Sequence, residues 1–133
     1  MALQFELVSP EKQLRSGTVH QVVVPGAEGD FAVLEGHAPM MSTIRAGAIE
    51  VYEAAGGPAE RIFIEGGFAE VNETGLTILA ERAEPVANID AEQLTAEIER
   101  AEQRLARADN DSERAQAEKR LNTLRTKRDV AAN

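Results

Sequence analysis

The side chains of this chain that could do chemistry crowd into one stretch, Gly26–Gly47, which reads GAEGDFAVLEGHAPMMSTIRAG. Glycines at 26, 29, 36 and 47 permit the positive backbone dihedrals of tight turns, and they recur too often for a helix. Between them, the run 31–34 is long enough for one short strand. Asp30 falls at a turn tip, where a carboxylate meets solvent or a partner. The run His37-Ala-Pro-Met-Met41 sets apolar side chains on a loop, which calls for a cover. Two covers are open: the chain's own core, with the stretch forming a hairpin corner and a tucked loop, or a second protein.

No catalytic constellation assembles around these residues. His37 could act as an acid or base, but no second catalytic partner accompanies it. The histidines, His20 and His37, are not spaced as a helical metal pair. The lysines, Lys12, Lys119 and Lys127, never follow a glycine, so no phosphate-cradling P-loop exists. A Gly-x-Ser-x-Gly nucleophile elbow is absent. Asp109-Asn-Asp111 opens like a calcium loop, but Arg114 and Arg120 occupy the positions that need a glycine and a bidentate acid. The many glutamates sit in strand-like and helix-like runs, where carboxylates are solvated faces rather than buried acid–base pairs. The expectation is a protein without catalysis, metal or cofactor of its own.

Composition narrows the class further. A chain of 133 residues is one domain, or one small domain with an appendage. With no cysteine it has no disulfide or thiolate metal site, which fits a reducing compartment. No apolar run reaches the roughly 18 residues of a spanning helix, and MALQFELVSP lacks the layout of a signal peptide. A net charge of −9 disfavours nucleic acid, whose phosphates demand cations, and the scarcity of aromatics disfavours stacking on bases. The charge is uneven: net −8 over residues 1–89, −4 over 90–111 and +3 over 112–133. An acidic body with a basic tail suggests a tail that meets something acidic, or a solvated helix docked on its own body.

The elements that would position these residues change grammar near residue 88. Before it, Leu3, Phe5 and Leu7 alternate with Gln4 and Glu6, the period of a half-buried strand. A short strand through Leu14 is expected to turn at Ser16-Gly17. A second β-branched run, 18–24, is expected to close at Pro25-Gly26. Alternating runs follow at 48–53, 61–65, 68–71 and 76–79. They are separated by Gly56-Gly57-Pro58, Gly66-Gly67 and Asn72-Glu-Thr-Gly75. Short strands with turn signals every eight to twelve residues predict a β-sandwich or flattened barrel.

After residue 88 the period becomes helical. Asp90-x-x-Gln93 has the form of a capping box. Leu94, Ile98, Ala101, Leu105 and Ala108 then mark one helix seam. Asp109–Ser112 interrupts it, and Asn110-x-x-Glu113 predicts a second cap. The second helix runs to about Val130, with Ala117, Leu121 and Leu124 inward. Two helices with so short a connection form an antiparallel hairpin. Its large apolar side chains are few, so it is expected to lean on the sandwich or on a partner and to exchange between them.

Three blocks carry a resemblance along the whole chain: SPEKQLRSG near the start, G-x-E-G-D with G-H-A-P-M-M-S in the opening stretch, and IEGGFAEV at 64–71. They are similar, in this order and ahead of an Ala/Glu/Arg-rich end, to the epsilon subunits of bacterial rotary ATP synthases. The resemblance implies a β-sandwich of about ten strands at 1–87 and an antiparallel two-helix domain at 88–133. It implies a non-catalytic rotor subunit, seated on the gamma subunit and the ring of c subunits, that couples proton-driven rotation to ATP synthesis. It also implies a peripheral location on the cytoplasmic side of a bacterial inner membrane, and the missing transit peptide favours a bacterium. Ser9, His37 and Ser42 match gamma-facing positions of the family. Glu28, Gly29 and Asp30 match the tip that meets the c-ring loops. Arg114, Lys119, Arg120, Arg125, Lys127 and Arg128 resemble in character the residues by which C-terminal helices approach the alpha and beta subunits and brake ATP hydrolysis.

Some members of the family bind ATP through Ile/Leu-Asp-x-x-Arg-Ala. Here Ile89 and Asp90 match, but Gln93 and Leu94 replace the arginine and alanine. Without the guanidinium the phosphate partner is gone, so weak or absent ATP binding is expected. A free-standing β-sandwich adaptor and a nucleotide-sensing module are the alternatives. Periodicity alone does not separate the adaptor from the rotor subunit.

Overall fold

The computed structural model describes residues 2–132. The chain divides into two compact units, one ending at Val86 and one beginning at Ala87. The first is a curled ten-stranded sheet and the second a hairpin of two helices.

The strands are β1 (Leu3–Val8), β2 (Gln13–Val19), β3 (Gln21–Gly26), β4 (Gly29–Leu34), β5 (Met40–Ile44), β6 (Gly47–Tyr52), β7 (Ala59–Ile64), β8 (Gly67–Val71), β9 (Gly75–Ala80) and β10 (Ala83–Pro85). Their order is β10-β7-β6-β3-β5-β8-β9-β1-β2, with β4 paired to β3. All pairs are antiparallel except β1 with β9, which brings the chain's first strand parallel to its ninth. The corner of the curl is β3. Its first half pairs with β6, from Gln21↔Tyr52 to Val23↔Glu50, and only Gly26 reaches β5, at Ile44. The alternation expected of half-buried strands therefore points inward from both runs. Phe5, Leu7, Val22, Val24, Ile49, Val51, Ile62, Ile64 and Ile78 meet in one buried cluster.

Four sequence expectations are corrected. Ser16-Gly17 does not turn: both residues lie inside β2, with Gly17 opposite Phe5 and Ser16 opposite Glu6. Cross-strand pairing there overrides local turn preference. The run 18–24 breaks at His20, whose N–H bonds the Tyr52 carbonyl at 2.8 Å. Pro25-Gly26 does not close the strand either; it continues β3, paired with Asp30 and Gly29, and the turn is Ala27-Glu28. Pro25 falls between the residues of β3 that pair with β6 and the one that pairs with β5, so its missing N–H leaves no gap in either ladder. Met40 and Met41 belong to β5 rather than to a loop.

In the second unit, α1 spans Ala91–Ala106 and α2 spans Asp111–Ala132. Asp90 caps α1, its Oδ1 accepting from the N–H groups of Glu92 and Gln93 at 3.0 and 3.1 Å. The second cap is reciprocal. Asn110 Oδ1 accepts from the Glu113 N–H at 2.8 Å, and Glu113 Oε2 accepts from the Asp109 N–H at 3.0 Å. Leu94, Ile98, Ala101, Leu121 and Leu124 form the buried seam, with Ile89 and Leu105 packed beside it. Ala108, expected as the last residue of the first seam, lies in the connection beyond α1.

Candidate functional site

Two surfaces of the sheet unit gather the residues that could meet a partner. The first is the β3–β4 tip. The two-residue turn Ala27-Glu28 leaves Glu28, Gly29 and Asp30 all exposed. The turn depends on Gly26: a Cβ there would sit 2.5 Å from the Gly29 carbonyl oxygen and 2.9 Å from the Phe31 ring. The tip is tied at three points to the end of β5 and the connection that follows it. The Ala27 N–H bonds the Thr43 carbonyl at 2.9 Å, and the Arg45 N–H bonds the Pro25 carbonyl at 3.0 Å. Arg45 Nη2 also contacts Asp30 Oδ1 at 2.5 Å. Asp30 is therefore a partnered, oriented carboxylate rather than a free one, while Glu28 has no ion pair among the described residues. Arg45 was not singled out from the sequence. Only the meeting of β3 with β5 brings it 15 positions back to Asp30.

The second surface is the outward face of the run β5-β8-β9-β1. Register places Thr43 opposite Phe68, Phe68 opposite Leu79, and Leu79 opposite Val8. Alternation turns these side chains away from the core, because their strand neighbours Ile44, Ala69, Ile78 and Leu7 are buried in it. Leu79 is 53% exposed, and Met41, one position along β5 from the inward Ser42, is 64% exposed. An apolar strip, Phe68–Leu79–Val8, thus crosses three strands on the outside of a folded sheet, with Met41 on β5 two positions from Thr43 at its end. The sequence signal for it was a β9 run, Leu76–Leu79, with apolar residues on both faces.

The family-matched residues are spread across this unit. Ser9 follows β1 and bonds within its own turn, its Oγ donating to the Lys12 carbonyl at 3.3 Å. His37 lies in the β4–β5 connection, Nδ1 at 2.7 Å from the Ala38 carbonyl, after a turn that places Gly36 at a φ of 83°. Ser42 sits within β5, Oγ donating to the Thr43 carbonyl at 3.0 Å. By register, Ser9 and His37 lie toward opposite ends of this layer, so the three form no cluster.

Among the basic residues of α2, three are engaged in ion pairs. Arg114 meets Asp111 at 3.0 Å, Arg120 meets Glu97 at 3.5 Å and Arg125 meets Glu102 at 3.6 Å. Lys127 has a partner as well, whereas Lys119 and Arg128 are exposed. Two of these pairs join α2 to α1, so part of the basic charge closes the hairpin. No group of three or more potential metal-ligating side chains gathers among the described residues.

Comparison with known proteins bears on both units. The family model described as "ATP synthase, Delta/Epsilon chain, beta-sandwich domain" matches residues 2–86, the whole of the sheet. A curated ATP synthase epsilon chain from Parvibaculum lavamentivorans is 52% identical over 123 residues, covering 92% of each chain. One from Maricaulis maris is 55% identical over 115 residues, covering 86% of this chain and 85% of its own. Among solved structures, a chain of the Euglena gracilis mitochondrial ATP synthase, described as OSCP/F1/c-ring, superposes with a TM-score of 0.83 at 27% identity. That match covers 99% of this chain and 82% of that one. A chain from the Tetrahymena thermophila mitochondrial ATP synthase shares the fold, with a TM-score of 0.73 at 12% identity over 98% and 97% of the two chains. With its sheet matched by the family model and both units spanned by relatives at about half identity, the chain belongs to the ATP synthase epsilon-chain family.

Proposed function

We propose that this chain is a non-catalytic rotor subunit of a rotary ATP synthase, coupling proton-driven rotation of a c ring to the gamma shaft and so to ATP synthesis. The sheet unit, residues 1–87, grips gamma and rests on the ring. The helical unit, residues 88–133, is the movable part. The observation that carries the shaft contact is the apolar strip Val8–Leu79–Phe68 with Met41 beside it. Such a strip on the outside of a folded sheet gains by being covered. His37, beyond the start of β5, and Ser9, beyond the end of β1, join this contact, whereas Ser42, turned inward within β5, bears on it only through its neighbours Met41 and Thr43.

The exposed Glu28-Gly29-Asp30 tip is the ring contact. Its acids suit cationic groups on the ring's polar loops and set position and register more than affinity. The Euglena relative comes from an assembly that includes a c-ring, in keeping with this role. No helix among the described residues is long and apolar enough to cross a membrane. Attachment is therefore through protein partners, peripherally, on the cytoplasmic side of a bacterial inner membrane. The basic residues of α2 (Arg114, Lys119, Arg120, Arg125, Lys127 and Arg128) approach acidic surface on the alpha and beta subunits when the hairpin opens, and slow ATP hydrolysis.

Reconstitution tests this. Chain truncated after Val86 is expected to bind purified gamma as tightly as the full chain, and Leu79→Glu in that background is expected to abolish binding. Full binding by the Leu79→Glu variant would overturn the shaft contact. Equal ATP hydrolysis by synthase assembled with full or truncated chain would overturn the brake.

A further inference from the structure

The Met40-Met41 pair carries chemistry that the shaft contact leaves unused. The chain has no cysteine and no tryptophan, so methionine thioethers are its most readily oxidised side chains. Alternation along β5 sends the two in opposite directions. Met40, opposite the buried Val71, packs against the core cluster of the sheet. Met41, opposite the exposed Glu70, is 64% exposed. Among the described residues, the large apolar side chains that stand in solvent are Leu34, Met41 and Leu79, and of these only Met41 bears a sulfur.

A solvent-exposed thioether reacts directly with a peroxide. A lone pair on Met41 Sδ attacks the nearer oxygen of hydrogen peroxide. The O–O bond breaks, an S–O bond forms, and after proton transfer the second oxygen leaves as water. Sulfur loses two electrons and the peroxide gains them. The product, a sulfoxide, is polar and chiral where the thioether was apolar and flexible. Its oxygen needs a hydrogen-bond donor, and the Glu70 carboxylate directly across the β5–β8 ladder accepts bonds without donating any. In the free chain water supplies the donor. Under an apolar cover it does not, and a buried polar group without its partner opposes the contact.

We propose that Met41 is a reversible oxidation site, and that a peroxide acting on it holds the unassembled chain off its shaft partner. The switch rests on the shaft contact proposed above, in which Met41 lies beside the Val8–Leu79–Phe68 strip. Met41 is open to a peroxide in the free chain and shielded once the strip is covered. Oxidation therefore selects against assembly and leaves assembled rotor untouched. Because Met41 stands outside the core cluster, the sulfoxide leaves the sheet folded. Return to the thioether needs a thiol-dependent reductase, two thiols becoming a disulfide as the sulfoxide oxygen leaves as water.

Hydrogen peroxide on the full chain tests the site, with tandem mass spectrometry placing each added oxygen. Met41 is expected to oxidise at least about fivefold faster than Met40, following exposure. Surface plasmon resonance on immobilised gamma then compares each chain with itself before and after treatment. The unsubstituted chain is expected to lose at least about tenfold in affinity, and the two methionine sulfoxide reductases, one per epimer, to restore it. Met41→Leu is expected to change by less than about twofold on treatment, having no sulfur at that position, whereas Met40→Leu keeps the loss. In the preformed complex Met41 is expected to oxidise at least about fivefold more slowly than in the free chain. Equal rates at Met40 and Met41, unchanged affinity of the oxidised chain, the same loss in Met41→Leu, no protection in the complex, or an altered far-ultraviolet circular dichroism spectrum after oxidation would overturn the switch. Full binding of gamma by untreated Leu79→Glu would bring down the shaft contact and the switch together. Failure of Leu79→Glu to bind, with unchanged binding by the oxidised chain, would bring down the switch alone.

Discussion

Arg45 Nη2 and Asp30 Oδ1 stand 2.5 Å apart, joining the tip of the β3–β4 hairpin to the residue that leaves β5. The pair bridges the corner of the curled sheet, the one place where β3 changes partner. Both side chains are about half exposed, so the contact serves to orient Asp30 more than to stabilise the fold. A double-mutant cycle of Asp30→Asn and Arg45→Gln, read by urea unfolding, is expected to return a coupling below about 1 kcal/mol that shrinks with added salt. A salt-independent coupling above about 2 kcal/mol would mean that the pair is buried in solution.

The same corner needs Gly26. Any side chain there meets the Gly29 carbonyl oxygen and the Phe31 ring, and Gly29 and Phe31 are both held in register with β3 by the β4 ladder. Gly26→Ala is expected to destabilise the sheet by about 1–3 kcal/mol, lowering the urea midpoint with the slope unchanged. A midpoint shift of less than about 0.3 kcal/mol equivalent would show that the hairpin relaxes around the methyl group.

On the outward strip, stability and binding separate. Met41 and Leu79 are already in solvent in the isolated chain, so Met41→Glu and Leu79→Glu are expected to change unfolding by no more than about 0.5 kcal/mol. Each should still weaken binding to gamma by more than about tenfold, the loss that a charge buried in an apolar contact produces. Surface plasmon resonance on the immobilised shaft subunit reads the second quantity and calorimetric melting the first.

Asn110 holds the start of α2 through the reciprocal cap with Glu113. Asn110→Ala is expected to cost about 1 kcal/mol, confined to the helical unit. In amide hydrogen exchange, residues 111–117 should lose protection while β1, β8 and β9 keep theirs. Loss of protection across the sheet as well would show that the two units unfold as one.

The helical unit has a small apolar seam, five buried residues against the seventeen of the sheet cluster. Its amides are therefore expected to exchange through openings of lower free energy than those of the sheet. Protection across 91–132 equal to that of β1 and β9 in the isolated chain would contradict this.

Much of the fold is written in local patterns. The alternation of Leu3, Phe5 and Leu7, the Asn72–Gly75 hairpin and the two caps at Asp90 and Asn110 all appear where short-range chemistry places them. Asn72 shows why: its Oδ1 accepts from the Thr74 and Gly75 N–H groups at 2.9 and 3.0 Å, a turn that needs no distant partner. The strands that escaped notice are those whose identity rests on a neighbour. β5 sets Met41 outward and Ser42 inward, so its alternation does not look amphipathic, and only pairing with β8 makes it a strand. β10 has three residues and exists because β7 offers an open edge.

The arginines divide in the same way. Summed over 90–111 the charge is negative, which hides that Arg100, Arg104 and Arg107 recur at helical spacing along one side of the hairpin. Summed over 112–133 it is positive, which hides that Arg120 and Arg125 are tied to Glu97 and Glu102. Residue order alone settles the two-part architecture, the helix starts and the family, because periodicity, capping and motif spacing are properties of neighbours along the chain. Which acid at the tip is paired, which apolar side chains face outward and which cations are left free emerged only when strands and helices distant in sequence were brought within a few ångströms, because charge pairing and burial depend on separation in space.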